Sequence, residues 1–131
     1  METKVSNEHD AIQAVVGDYL EGMIYGQYDR LKDAMHPLCM QAGHYNGHYE
    51  FMPRDEFVEA IKPEKKLPVG ENFGSSISMI DVTGDIAIVK VTDECFGTIW
   101  TDYLTLIKHD TKWQIVMKAF YDHSNDKART L

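Results

Sequence analysis

The stretch "DECFGTIWTDYLTLIKHDTKWQIVMKAFY", residues 93–121, decides the fold. Apolar and polar side chains alternate along it, and "GT" and "HDT" interrupt the alternation. A period of two marks strands with one buried face, and breaks rich in Gly, Asp and Thr mark tight turns. The runs about 99–108 and 113–122 are therefore strands, as are two runs before them, about 73–82 and 86–96, separated by "TGD".

Upstream the period changes. Ser6 or Asn7 is placed to cap a first helix. Ile12, Val15, Val16, Tyr19, Leu20, Met23 and Ile24 follow at helical spacing, and Gly26 ends the run. A short second helix covers Tyr28 to Met35 and stops at His36-Pro37, because the residue before proline avoids helical angles. Asn46-Gly47 signals a hairpin. Pro53 suits the start of a third helix, with Phe57, Val58 and Ile61 as its buried face. Helices first and strands afterwards, with short turns, predict an α+β domain over 1–131, with helices on one face of an antiparallel sheet.

Composition narrows the function. The chain of 131 residues carries a formal net charge of −8 and no Lys/Arg cluster larger than "EKK", which argues against nucleic acid as a partner. No apolar run approaches the roughly 18 residues of a membrane span, and "METKVSNEHD" has no signal-peptide core. Cys39 and Cys95 form no CxxC and read as reduced thiols of a cytoplasmic protein. A chain of this length buries a core without metal or disulfide staples, so no cofactor is expected.

The segment "WTDYLTLIKHDTKWQIVMKAFY" resembles the closing strands of the putative lumazine-binding family. "DYLEGMIYGQYDRLKDAMHP" resembles the same family's first two helices, including the His-Pro after the second. That family belongs to the nuclear transport factor 2-like superfamily, of cystatin-like fold, together with the SnoaL-like cyclases and ketosteroid isomerases. The resemblance implies N-terminal helices packed on a curved antiparallel sheet, a cone with a ligand pocket, and often a homodimer. It implies little about the substrate.

Register places the acids. If Gly97-Thr98 is a two-residue turn, Val91 faces Leu104, Asp93 faces Asp102, and Cys95 faces Trp100. If Lys108 pairs with Trp113, then Leu104 faces Met117, Asp102 faces Ala119, and Trp100 faces Tyr121. Both turns give one apolar face, with Asp93 and Asp102 inside the cone and Trp100 and Tyr121 at its rim. Opposed carboxylates lie roughly 5 Å apart at Cβ and repel, so one is expected to hold its proton and the pair to supply an acid and a base. An acidic interior is expected to favour uncharged or cationic aromatic ligands over anions. Ile86, Ile88, Tyr103, Val116, Lys118 and Phe120 fall on the outer face, where the apolar members call for cover by a second copy.

Resemblance to ketosteroid isomerases places Tyr19 at their oxyanion-binding tyrosine. Counting on from Tyr19, their general-base Asp falls at Gly43, which cannot take a proton, and His44 stands next to it as a candidate base. His44 and His48 do not read as a metal pair, because the Asn46-Gly47 hairpin puts them on opposite faces. His36 reads as a helix-end residue or a pocket residue. The candidate ligand contacts are thus Tyr19, Met23, His36, His44, Trp100, Asp102, Met117 and Tyr121, and the candidate proton-transfer residues are Asp102, Asp93, Tyr19 and His44. The first expectation is a small-molecule-binding domain. A cofactor-free isomerase, cyclase or dehydratase is the second, and a dimerisation module with a filled core the third.

Overall fold

The computed structural model describes residues 2–126, with side chains from Asn7 onward. Helix α1 spans Glu2–Ile24. It starts ahead of the expected cap at Ser6 or Asn7, since no proline or glycine precedes these residues to stop it. Its apolar stripe is buried, with Ile12, Val16 and Tyr19 fully inaccessible. Helix α2, Tyr28–Ala34, ends one residue short of the expected Met35, which is already extended and begins the next strand. Strands β1 (Met35–Tyr45) and β2 (His48–Pro53) form the hairpin at Asn46-Gly47. Both turn residues have positive φ, 52° and 78°, as the type I′ turn requires. Helix α3, Arg54–Ile61, buries Phe57, Val58 and Ile61.

The closing meander is β3 (Ser75–Thr83), β4 (Ile86–Cys95), β5 (Thr98–His109) and β6 (Lys112–Asp122), all antiparallel. The strand order is β2-β1-β6-β5-β4-β3. The hairpin joins the meander through a parallel β1–β6 pair, so the sheet is mixed. Periodicity says nothing of this junction, because it brings together strands far apart in the chain. The helices cover the concave face. Val89, Leu104, Leu106 and Ile115 of the sheet and Ile12, Val16 and Leu20 of α1 belong to one buried cluster.

Two registers differ from those expected. The β4–β5 turn is Phe96-Gly97, with φ of 53° and 82°, rather than Gly97-Thr98. Asp93 therefore pairs with Trp100, and Asp102 with Val91. A slide of two residues keeps every side chain on its face, so both acids stay on the concave side as diagonal neighbours. Left-handed backbone at Phe96 costs roughly 1–2 kcal/mol, and tertiary contacts offset it. The ring packs against the core with Lys66 Nζ 5.4 Å from its centroid, and Trp100 Nε1 donates to Cys95 O at 3.0 Å.

The β5–β6 pairing begins as expected, with Lys108 opposite Trp113 and Leu106 opposite Ile115. A bulge at Val116 then shifts it. Leu104 pairs with Lys118, Asp102 with Phe120, and Trp100 with Asp122. One extra residue exchanges the faces of everything beyond it. Lys118, Phe120 and Asp122 turn into the concave side, while Met117, Ala119 and Tyr121 turn out. Lys118 and Phe120 had been expected outside, and Met117 and Tyr121 inside.

Candidate functional site

Three neighbouring rows of the concave face converge beneath α1 and α3. One runs Gln41–Lys118–Leu104, the next Gly43–Phe120–Asp102–Val91, and the third Asp122–Trp100–Asp93. Tyr19 and Met23 from α1 and Phe57 from α3 close the space above them, leaving a cavity of about 70 Å³. A water needs roughly 10–15 Å³ on this measure, so the cavity takes a few waters or a compact organic molecule.

Its centre is polar. The Tyr19 hydroxyl donates to Asp102 Oδ2 at 2.6 Å, and both residues are buried. Burial holds the Tyr19 phenol well above its ordinary range, and the charges of Asp102 and Asp93 add to this. Burial also raises Asp102, against the pull of Lys118 and of the Tyr19 hydrogen bond. Asp93 is 1% exposed, and neither of its oxygens has a hydrogen-bond partner. Burial and then repulsion from Asp102 push it up to about 7, with smaller opposing effects from the Cys95 thiol and Lys118. The thiol is near Asp93 but does not complete a hydrogen bond of ordinary geometry. Burial, then the Asp93 charge, keeps Cys95 protonated. Two carboxyls sharing so dry a space cannot both ionise cheaply, so the pair retains a proton near neutral pH.

The rim is aromatic. Trp100 meets Tyr45 at 5.5 Å and Phe120 at 5.7 Å between ring centroids, both edge-on. Gly43 explains the close approach of Phe120: a Cβ there would stand 2.5 Å from the Phe120 carbonyl oxygen and 2.7 Å from its ring. The position to which the isomerase resemblance assigned a carboxylate is thus occupied by the Phe120 ring.

Among the expected site residues, Tyr19, Met23, Asp93, Trp100 and Asp102 line the cavity. His44 does not. It points to the convex face, exposed, with its ring 5.3 Å from that of Tyr49, because alternation along β1 sends it opposite to Gly43. His36 lies in β1, where its Nδ1 accepts from the Leu38 amide at 3.0 Å, beside a separate surface depression. Met117 and Tyr121 are carried outward by the bulge. Lys118, Phe120, Gln41 and Phe57 also line the cavity and were missed as site residues. Phe57 was legible as the buried face of α3, but the inward turn of Lys118 depends on a bulge that alternation alone does not reveal.

No group of three or more His, Cys, Asp and Glu residues is placed to hold a metal ion among the described residues. No helix among them is long and apolar enough to cross a membrane.

Comparison with known proteins gives a consistent picture. Residues 7–121 match the family described as "Putative lumazine-binding". The "Aldolase FrzH" of Cladobotryum sp is 31% identical over 120 residues, covering 90% of this chain and 94% of that protein. A crystal structure of an NTF-2 like protein of unknown function from Silicibacter pomeroyi superposes with a TM-score of 0.84 at 27% identity, covering 90% of this chain and 98% of that one. A ketosteroid isomerase-like protein from Erwinia carotovora atroseptica, at 17% identity, shares the fold with a TM-score of 0.66 over 86% of this chain and 94% of its own. The chain belongs to the putative lumazine-binding family and has the nuclear transport factor 2-like fold.

Proposed function

We propose that the cavity binds a small carbonyl compound and moves a proton on the carbon beside the carbonyl, without a cofactor. The observation that carries this is Asp93, a buried carboxyl with both oxygens unpaired, on the same wall as the Tyr19–Asp102 hydrogen bond. A base works best when its pKa lies near the working pH, and Asp93 is pushed up to about 7. In the proposed step the Asp93 carboxylate takes the C–H proton. The electron pair moves onto the carbonyl oxygen, which receives a hydrogen bond from protonated Asp102, itself held by the Tyr19 hydroxyl. Asp93 then returns the proton to carbon. The relative from Cladobotryum is named an aldolase, and aldol addition and cleavage both pass through such an enol or enolate.

The test is uptake of solvent deuterium, followed by NMR, into 4-oxopentanoate and its methyl ester. Wild-type protein should accelerate uptake beside the ketone. Asp93→Asn should lower that acceleration by about 10²–10⁴-fold with the fold retained. No acceleration by wild type would leave a binding domain without proton transfer, and an equal rate in Asp93→Asn would remove Asp93 as the base.

A second copy of the chain is proposed to cover the convex face, in a reducing, cytoplasmic setting suited to the free thiols Cys39 and Cys95. Phe51, Ala42, Ala119, Tyr103, Lys90 and Met79 form one row across all six strands. Phe51 and Tyr103 in it are 55% and 48% exposed. Tyr103→Glu should turn a dimer into a monomer in sedimentation at micromolar concentration. A wild-type monomer under those conditions would refute the pairing.

A further inference from the structure

We infer that Lys118 is an anion anchor, and that the ligand of the cavity carries a carboxylate as well as its carbonyl. This deepens the proton-transfer proposal and rests on the same cavity.

Lys118 is 5% exposed. Its Nζ lies 4.1 Å from the ring centroid of Phe57, 5.2 Å from that of Tyr19 and 5.4 Å from that of Phe120. Three ring faces favour a cation at this point. Yet among the described residues Nζ makes no hydrogen bond and no carboxylate lies within 4.0 Å, and the atom keeps some access to the cavity. Lys66 offers the contrast. It too sits over rings, those of Tyr28 and Phe96. Its ammonium nevertheless donates to Ile61 O and Glu64 O, each at 2.6 Å. The more buried lysine is the one whose three donors are unused.

A buried charge without a partner is costly, and pairing it with a hydrogen-bonded counter-ion removes much of that cost. The protein supplies none at Lys118. Asp93 and Asp102 lie beyond ion-pair distance of its ammonium. Lys118 thus lacks an acceptor while Asp93 lacks a donor, and both line one cavity. A keto acid matches the pair: its carboxylate meets Lys118, and its ketone and adjacent C–H meet the Tyr19, Asp102 and Asp93 group. A neutral ligand leaves the ammonium unpaired, and a cationic one opposes it. The expectation of an interior favouring uncharged or cationic aromatic ligands over anions placed Lys118 outside the cone, and the bulge at Val116 turns that residue inward.

Binding of sodium 4-oxopentanoate and of its methyl ester, followed by calorimetry or NMR, tests the anchor. Wild type should bind the acid about 10- to 100-fold more tightly than the ester. Lys118→Met should abolish the preference, so that acid and ester bind that variant alike. Lys118→Arg, which keeps the charge, should retain a preference for the acid. Equal binding of acid and ester by wild type overturns the inference without any variant. So does an undiminished preference in Lys118→Met, or a mass increment on Lys118 after borohydride treatment with the acid, which would make the amine a covalent nucleophile. Deuterium uptake in the same samples keeps the two proposals apart. Acid preference without uptake retains the anchor and removes the proton transfer, and uptake without acid preference does the reverse.

Discussion

The two ends of the concave face follow different rules. At one end Val89, Leu104, Leu106 and Ile115 are fully buried and packed into the cluster that includes Ile12 and Val16 of α1. At the other, Asp93, Asp102, Lys118 and Asp122 are also buried but charged or polar. Asp122 is satisfied there, accepting from Thr98 Oγ1 at 3.1 Å and from the Ser124 amide at 2.9 Å. Asp93 and Lys118 are not. The apolar end lowers the free energy of the fold by removing hydrocarbon from water. The polar end costs stability, and unpaired groups persist in a native interior mostly where a ligand or a reaction uses them.

The largest effect on stability is expected at the apolar end. Leu106→Ala removes a fully buried side chain and should cost about 2–5 kcal/mol in urea unfolding. A loss below about 1 kcal/mol would mean that this end is loosely packed and the contrast overstated.

Next comes pH. A carboxyl whose folded pKa is raised binds its proton more tightly in the native state than when unfolded. Its stabilising contribution is therefore full at low pH and lost as pH rises. For Asp93 the window runs from its ordinary 3.8 to about 7, and the raised Asp102 acts in the same direction. Stability should fall by roughly 2–4 kcal/mol across that range, and Asp93→Asn should flatten the profile. A profile that rises with pH from 4 to 7 and is unchanged in Asp93→Asn would show that water reaches the carboxyl.

The smallest of the three concerns Gly43. A methyl group there meets both backbone and ring of Phe120, so Gly43→Ala should cost about 1–3 kcal/mol by overpacking. It should also displace Phe120 from the cavity wall, visible as shifted resonances of Trp100 and Asp102. A neutral substitution would indicate that Phe120 does not hold the rim in place.

The apolar end was legible because its pattern is local. Alternation along β4 and β5 and helical spacing along α1 each name a buried face without reference to any partner strand. The same logic placed Asp93 and Asp102 together, since a slide of two residues at the Phe96-Gly97 turn preserves parity. It also separated His44 from His48 correctly, yet kept His44 as a candidate base on the strength of its neighbour Gly43, although adjacent residues in a strand point to opposite faces.

What the sequence by itself determined is thus the element order, the α+β class, the apolar faces of α1, β4 and β5, and a carboxylate pair with Tyr19 on the inner side. Tertiary structure alone decided the parallel β1–β6 junction, the turn at Phe96-Gly97 and the bulge at Val116, and through them which side chains meet. The physical reason is that periodicity constrains the face of a residue, whereas register depends on contacts between strands. An inserted residue is tolerated locally and reverses every side chain beyond it. Lys118 entered the cavity by that route.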